Sequence, residues 1–432
     1  MKRIFVLLCI ALSTQTQAQT NKELNTLVQQ VLSYSPILKA QKTQLQTGEI
    51  KTQIQHSFDK PNIAYEAGIT RVDPVSKVTF ATGGVPSVLQ FQPNMNYNTN
   101  FVASQTLYDW GKNKSTMDKI LLETRLSQTQ IDQSAFGLAF QIATVYHQIL
   151  FLQNVLTIQK AELGRINSHK AIVENQIKLG EALELDVMGL RIRVQNQETK
   201  ITETETQIDK LIDFLQTQSG QKDLKNQIKA ILQANSAKGN PAQHPSILSL
   251  EAEKSVFEQE IAIQSKASTP TLAGSASLGL RNGYLPRING EVPAFSDDFK
   301  INSLIGIKLT VPIYSGKRAS MQQHLAKIQQ ERIAFQKEDT QTKLAYELRQ
   351  GQANLNLIQD KLATQKNVIE QAKYAYQLGE ARYKEGTIKQ LELDQIQNLL
   401  EEAQLQEENF KFQFNLTQLD LLKTQGVKFW EL

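Results

Sequence analysis

The sequence predicts a mainly helical protein with a small β part, in which a unit of long coiled-coil helices and paired strands occurs twice. Three observations lead to this fold class. Two alternating segments end near a tyrosine and a glycine, around Tyr108 and Tyr314, and each precedes a very long helical pattern. Apolar residues recur in heptads along these helical patterns, which is typical of a left-handed supercoil. Tyr314 follows Tyr108 by 206 residues, and other landmarks share that spacing.

The shared spacing extends through the helical part of the chain. The apolar seam Leu138, Ile142, Ile149 reappears 206 residues later in the second helical pattern. Polar residues and glycines repeat at the same offset, which pairs Gln159 with Gln365, Gly180 with Gly386, and Gly220 with Gly426. This agreement indicates an internal duplication.

The first 18 residues have the pattern of a secretory signal peptide. Lys2 and Arg3 precede an apolar run, and Ala18 is a small residue of the kind found at cleavage sites. The single cysteine, Cys9, lies in this segment, so we expect an exported chain without disulfides or thiol metal ligands. Loss of the two cations lowers the formal net charge from +4 to +2, which gives no reason to expect nucleic acid as a partner.

The first copy of the unit is expected over residues 19–220. Spaced apolar residues over 22–58 predict an amphipathic helix, and Pro61 ends it. Two alternating strands follow, with a loop rich in Pro, Gly and Asn between them. The remaining elements are strands at about 62–72 and 96–109, a long helix over 112–179, and a helix over 182–219.

The second copy is expected over residues 244–432, after a polar connector at 221–243. Its strands are again joined by a loop, at 281–298, and its long helix, like the first, would extend roughly 100 Å at 1.5 Å per residue. The predicted elements are strands at about 271–280 and 299–313, a long helix over 317–385, and a helix over 388–425.

Membrane crossing, if it occurs, is expected to use the strands. No segment after the signal approaches the ~18 to 20 apolar residues of a spanning helix, whereas the strands have about the length that crosses an outer membrane. Four strands cannot close a barrel, and an open edge in lipid leaves backbone groups without hydrogen bonds. Either the strands are soluble or several copies share one barrel. Three copies would supply twelve strands and a ring of helices.

Several short motifs occur in the same order in both copies. Tyr108-Asp109-Trp110-Gly111-Lys112 and Pro312-Ile313-Tyr314-Ser315-Gly316-Lys317 lie at the strand-to-helix joints, and a glycine begins each helix turn. In the order and spacing of these motifs the sequence resembles the TolC family of outer-membrane efflux channels. The resemblance implies a homotrimer, with an α-helical tunnel through the periplasm and a shared 12-stranded transmembrane β-barrel in the outer membrane of a Gram-negative bacterium.

The resemblance also implies partners and a function. The partners would be a periplasmic adaptor protein, an inner-membrane pump of the RND or ABC type, and outer-membrane lipid. The function would be the export of small molecules or proteins across the periplasm and the outer membrane, without a cofactor. Drugs, metal ions and secreted proteins all stay open as substrates.

The helix turns would form the channel entrance if the resemblance holds. It implies an entrance latch in which Tyr383 donates a hydrogen bond to Asp186, and an entrance acidic ring at Glu392. Where the family has its next ring acid this chain has Gln395, with Asp394 beside it as the candidate for that ring. Where the family can place an arginine for a second latch, this chain has Ile388. The alternative interpretation treats Tyr383 as a packing aromatic of the seam and Glu392 as an ordinary exposed acid.

The glycines and aromatics of the motifs have two interpretations as well. Gly180 and Gly386 would be the tips that dock to the adaptor, although a chain reversal alone also favours glycine. The joint residues would lie at the membrane rim, where amphipathic rings are favoured, or would only pack the joint. These joint residues are Tyr108, Trp110, Gly111, Tyr314 and Gly316.

Two other classes of protein compete with a channel. An enzyme is not expected, because the five histidines lack ligand or triad spacing and no glycine loop can cradle a phosphate. A secreted or surface coiled-coil protein, such as an adhesin stalk without channel activity, would explain the heptads. It would not explain two strand pairs at equal positions in the two copies.

Overall fold

A computed structural model describes residues 22–180, 183–224, 228, 239–284, 287–289 and 299–431. The expected signal peptide at 1–18 and most of the connector at 221–243 lie outside the described residues. The first copy contains α1 (22–34), α2 (Pro36–Ser57), β1 (Asn62–Arg71), β2 (Lys77–Thr82), β3 (Val85–Gln90), β4 (Met95–Tyr108), α3 (Lys112–Lys178) and α4 (Glu184–Ser219). The second contains α5 (Pro245–Ser265), β5 (Thr271–Arg281), β6 (Arg287–Ile288), β7 (Lys300–Thr310), α6 (Arg318–Lys384) and α7 (Gln390–Thr424).

The long helices reproduce the duplication in three dimensions. α3 and α6 each have 67 residues, and their first and last residues are 206 positions apart. The sequence predicted these helices at 112–179 and 317–385, so each boundary differs by one residue or none. The fold class is confirmed: a mainly helical chain with a small β part and a duplicated unit.

The chain divides into two compact units that do not coincide with the two repeats. We call Met1–Thr43, Ser127–Glu251 and Phe335–Leu432 the helical unit, and Gln44–Leu126 with Ala252–Ala334 the sheet unit. Each unit contains segments of both repeats. One physical reason is that the last strand of the first repeat, β4, pairs with the first strand of the second repeat, β5.

The sheet unit contains a four-stranded antiparallel sheet in the order β1-β4-β5-β7. Its register places Tyr65 opposite Phe101, Phe101 opposite Leu278, and Ala276 opposite Ile305, so the apolar positions of all strands share one face. The opposite face is mostly polar or small, with Asn98, Asn100, Ser275 and Ser277 among its residues and Val102 and Leu304 as its apolar exceptions. The sheet is therefore amphipathic, as strict alternation within each strand requires.

A second, three-stranded sheet in the order β2-β3-β6 corrects the two expected loops. The segment between β1 and β4 forms the β2–β3 hairpin, and β3 then pairs with β6, within the segment expected as the loop 281–298. Gly83 and Gly84 both have positive φ at the hairpin turn, where glycine is favoured. Proline and glycine thus mark a tight turn here rather than an irregular loop.

Two predicted elements differ from the observed ones next to a proline: a strand ends early and a helix is divided in two. β7 stops at Thr310 rather than 313, two residues before Pro312, which has no N–H to donate. The helix expected over 22–58 is two helices, 22–34 and Pro36–Ser57, with the break at Ser35. The residue before a proline disfavours helical backbone, which accounts for that break.

The main core of the helical unit lies along the middle of α3. Phe136, Phe140, Ile142, Tyr146 and Ile149 are buried there, on a face wider than the predicted heptad seam. This face packs with α1, α4 and the C-terminal turn at Phe429–Glu431; the buried partners include Leu24, Val28, Leu215, Phe429 and Trp430.

The same stretch corrects the expectation about apolar segments. α3 contains an 18-residue window with a mean hydropathy of 1.4, long and apolar enough to cross a membrane by composition. Half of that window is buried inside the chain. Its apolar side chains therefore serve helix packing in this core. A buried core helix meets the same hydropathy criterion as a membrane-spanning helix.

Candidate functional site

The two helix turns require glycine because of their backbone conformation. Gly180 has φ +78° and Gly386 has φ +71°, in the left-handed region that side chains disfavour. No heavy atom lies within 4 Å of the position that a Cβ would occupy at either glycine. A larger side chain at either turn would therefore strain the backbone without striking another described residue of the chain.

Asp186 and Glu392, predicted as a latch acid and a ring acid, occupy equivalent positions in the two repeats. Asp186 accepts a hydrogen bond from the Leu183 N–H at 3.1 Å, and Glu392 accepts one from the Lys389 N–H at 3.1 Å. Each carboxylate thus caps the helix that follows its turn, α4 or α7, where the helix dipole favours negative charge. Capping alone accounts for an acid at both positions.

Tyr383 lies near the end of α6, in contact with α3. Its hydroxyl donates a long hydrogen bond of 3.5 Å to Gln176 Oε1, and its ring meets the His169 ring edge-on at 4.6 Å. Burial raises the Tyr383 pKa, and the carboxylates of Asp186 and Asp394 raise it further. Within the described chain the hydroxyl reaches Gln176 rather than Asp186, so the predicted latch bond is not formed in this conformation.

Asp394 is an ion-pair partner rather than a free acid. It contacts Arg193 and accepts a hydrogen bond from Gln390 Nε2 at 2.8 Å. Arg193 also donates to Asn398 Oδ1 at 3.1 Å, so this one guanidinium attaches α4 to two successive turns of α7. The guanidinium offsets the charge that Asp394 could contribute to an acidic ring.

Beneath this pair lies Glu162, whose side chain is only 1% exposed. It accepts a hydrogen bond from Arg165 at 2.7 Å and lies 3.6 Å from Arg193. Burial raises the Glu162 pKa, against the opposing effect of the nearby Arg165 guanidinium. We call Glu162, Arg193, Asp394 and Asn398 the polar joint, because together they connect the first repeat to the second.

The polar joint was not predicted from the sequence, although a signal for it exists. Glu162 and His169 alternate with Ile166 and Val173 at spacings of four and three, so two ionisable residues occupy seam positions of α3. His169 is buried, its ring nitrogen Nδ1 lies 3.0 Å from Gln390 Nε2, and burial lowers its pKa. An ionisable residue at a core position of a heptad pattern indicates a buried polar contact.

The strand-to-helix joints repeat with the same backbone geometry. Trp110 and Gly111 have φ +54° and +81°, and their equivalents 206 residues later, Gly316 and Lys317, have φ +64° and +59°. Tyr108 and Trp110 contact each other edge-on at 4.7 Å, and both rings are partly exposed, as is Tyr314. The strand-to-helix joint of the first repeat therefore contains one packed aromatic pair, and part of each ring surface stays exposed and available to a membrane interface.

In the described part of the chain, no group of three or more His, Cys, Asp or Glu side chains could hold a metal ion.

Comparison with known proteins identifies the family. The model of the outer membrane efflux protein family matches residues 27–211 and 241–427, which is most of the chain, and the chain belongs to that family. No protein of curated function matches it significantly.

Solved structures of low sequence identity share the fold. The outer membrane protein VceC from Vibrio cholerae has a TM-score of 0.72 at 16% identity, with 94% of this chain and 96% of VceC covered. A membrane protein from Pseudomonas aeruginosa has a TM-score of 0.74 at 18% identity, with coverages of 94% and 90%. The Campylobacter jejuni CmeC outer membrane channel has a TM-score of 0.71 at 15% identity, with coverages of 94% and 86%.

Family membership confirms the resemblance and the localisation. The protein is an outer-membrane protein with a periplasmic extension, and its family is one of efflux channels rather than enzymes. A channel is thereby favoured over the coiled-coil rod that the heptads alone would allow.

Proposed function

We propose that three copies of this chain form an export channel through the outer membrane, which works with a periplasmic adaptor and an inner-membrane pump of the RND or ABC type. The observation that supports this proposal most directly is the amphipathic sheet. Ile305 is 87% exposed and Ile301 76% exposed in the single chain, and both lie on its apolar face. Such a face is expected to contact lipid.

The two edges of this sheet support closure by other copies. β1 and β7 are its outermost strands, and the order β1-β4-β5-β7 is antiparallel throughout. β7 of one copy can therefore pair antiparallel with β1 of the next. Each unpaired backbone group in lipid costs several kcal/mol, which disfavours an open sheet. Three copies give a closed barrel of twelve strands, and its polar face lines the lumen.

The helix turns support docking of a partner protein. Leu179, Leu183, Leu185 and Leu391 are apolar and exposed around the two turns. Clustered exposed leucines are typical of a surface that another protein covers. We therefore assign Gly180 and Gly386 to the adaptor-docking tips. Tyr383 and Asp186 remain our proposed entrance latch. Glu392 remains the proposed acid of the entrance ring, with Asp394 beside it.

The test combines assembly with transport. The protein is extracted from outer membranes with detergent, its native mass is measured, and its conductance is recorded in planar bilayers. We expect a trimer that conducts ions, and a deletion strain with increased susceptibility to compounds that the pump exports. A stable monomer that needs no detergent for extraction would reject the channel and support the coiled-coil rod.

A further inference from the structure

The two repeats of one chain contact each other through different faces. The first repeat contributes Arg193, with Glu162 beneath it, and the second contributes Asp394 and Asn398. A contact between different faces of equivalent units is heterologous, and it leaves one complementary half unused on each unit. The second repeat therefore has an unused face at the positions equivalent to Glu162 and Arg193. The first repeat has an unused face at the positions equivalent to Asp394 and Asn398.

The equivalence of the repeats near this contact is geometric as well as sequential. Gln197 Nε2 donates to the Gln159 carbonyl at 3.1 Å, and in the second repeat Gln365 Nε2 donates to the Ala403 carbonyl at 2.8 Å. Both contacts join residues that are 38 positions apart, at corresponding places. An offset of 206 therefore converts positions in α3 and α4 into structurally equivalent positions in α6 and α7.

When 206 is added to or subtracted from the numbers of the four polar-joint residues, all four equivalent residues are apolar. The four residues and their equivalents are Glu162 and Val368, Arg193 and Leu399, Asp394 and Met188, and Asn398 and Ile192. All four equivalents are exposed in the single chain: Val368 by 42%, Leu399 by 60%, Met188 by 56% and Ile192 by 59%. Each polar member of the joint thus corresponds to an exposed apolar side chain.

We propose that Leu399 and Val368 of one copy pack against Met188 and Ile192 of a second copy, in the same arrangement as the polar joint within a chain. We call these four residues the apolar joint. The proposal rests on the trimer of the proposed function and specifies which helices of neighbouring copies meet: α6 and α7 of one against α4 of the next. Removing four exposed apolar side chains from water favours this association.

The difference in chemistry also determines which repeats can be neighbours. If the Arg193 face met Met188 and Ile192 of another first repeat, the guanidinium would lose Asp394 and keep only Glu162, which also pairs with Arg165. If Leu399 met Asp394 of another second repeat, the carboxylate would lose its cation. Both mismatches desolvate a charge that has lost its partner across the contact, which is strongly unfavourable. First and second repeats must therefore alternate around the ring, which lets identical chains assemble in one order.

Crosslinking tests the contact in the detergent-solubilised protein. In the double variant I192C/L399C, a short bis-maleimide reagent should join the two cysteines between copies, and most of the chain should migrate as covalent dimers and trimers. The I192C and L399C single variants should stay uncrosslinked, because a heterologous contact does not bring identical positions together. The control pair E205C with L399C should also stay uncrosslinked, since position 205 lies roughly 20 Å farther along α4 than Ile192 by helix rise, beyond the reach of a short reagent.

A charge exchange provides the second test. L399R alone should raise the protein concentration at which the trimer dissociates at least tenfold, because an unpaired cation enters the apolar joint. Adding M188D should restore the trimer, since the two substitutions reproduce Arg193 and Asp394 between copies. L399R with L185D has the same net charge and should not restore it.

These results separate the inference from the proposed function. A trimer of the I192C/L399C variant that forms no crosslinks between copies, or equal rescue by M188D and L185D, would overturn the apolar joint and leave the channel intact. A wild-type monomer would reject the proposed function itself. Specific crosslinks together with rescue by M188D alone would establish the contact.

Discussion

At the scale of single residues, the helical unit contains ionisable groups at positions where coiled coils usually have apolar side chains. His147 lies in the main core on α3, and burial lowers its pKa to about 4. Its neutral ring is accommodated there, whereas an imidazolium would lose its hydration. The free energy of unfolding is therefore expected to depend on pH.

Replacement of His147 by Leu should remove a loss of stability in acid. The unfolded state takes up a proton below the ordinary histidine pKa of about 6.5, whereas the folded state does so only below about 4, so stability falls as the pH drops through that interval. Between about pH 7.5 and pH 5 the loss is on the order of 2 kcal/mol. Thermal unfolding of the trimer in detergent at both pH values measures it. An unchanged pH dependence in H147L would contradict the assignment.

The polar joint should respond differently to partial and complete replacement. R193L leaves Glu162 and Asp394 without their shared cation, and it should destabilise the protein by on the order of 3 kcal/mol. The variant E162V/R165Q/R193L/D394M copies the residues of the apolar joint and should recover most of that loss. R165Q copies Gln371, the equivalent of Arg165, so that no arginine is left without Glu162. Chemical unfolding followed by circular dichroism compares them. Equal destabilisation by both variants would show that packing, not charge pairing, dominates the contact.

The proposed latch depends on a single hydroxyl. Y383F removes the hydrogen bond to Gln176 and any bond to Asp186 in a closed state, so a small rise in bilayer conductance is expected, since one such bond is worth about 1 kcal/mol. D186N keeps an oxygen that can cap α4 through Leu183, and the double variant should conduct more than either single one. Wild-type conductance in an intact double-variant trimer would remove the latch.

The residue scale also shows where sequence interpretation stops. The resemblance to the efflux channels singled out Asp186 and Glu392 by their position after the turn glycines, and the structure adds that both are helix caps. Arg193 was not identified, because its partners Asp394 and Asn398 lie about 200 residues away along the chain. Seam periodicity identifies which side chains are buried. Which residues of the helix pair α3–α4 contact the helix pair α6–α7 follows only from three-dimensional packing.

At the scale of elements, the sequence predicted most helices and strands within a few residues. The long helices are the clearest case, because their periodicity extends over 67 residues in α3 and in α6. The β2–β3 hairpin was assigned to a loop although its signal was present. Val78 and Phe80 alternate before Gly83-Gly84, and Val85 resumes directly afterwards, which is typical of a two-residue turn between strands.

The turn glycines give a prediction at this scale. G386L should cost about 1–2 kcal/mol through its left-handed backbone, yet no heavy atom lies where its Cβ would be placed, so the trimer should assemble. Export should nevertheless be lost if the adaptor packs against that backbone. G180L should behave similarly. G386N is the matched control, because asparagine tolerates this conformation and has a smaller side chain.

The measurement compares export activity with trimer yield in each variant. Full export in both leucine variants would remove the docking role of the turns. Loss of the trimer in either one would mean that its glycine serves folding instead.

At the scale of the whole molecule, the duplication could be read from the sequence, but its use in three dimensions could not. The offset of 206 residues relates the helix ends, the turn glycines and the pairs of positive φ values at the joints. It does not reveal that β4 pairs with β5, or that the repeats contact each other through unequal faces. Those facts depend on which surfaces meet. Because the contact faces of the two repeats are unequal, the duplication predicts how neighbouring copies of the chain contact each other.

The sheet face gives a prediction about the whole assembly. Ile305 and Asn302 lie on β7, on the apolar and polar faces respectively. In lipid, I305K should cost about 2–4 kcal/mol near the middle of the membrane, whereas N302K should face the lumen and cost little. In water, the exposed Ile305 side chain could become lysine without penalty. The amounts of trimer in outer-membrane fractions of the two variants therefore distinguish a membrane sheet from a soluble one. A marked loss for I305K with a normal level for N302K is expected, and equal levels would place the apolar face in contact with something other than lipid.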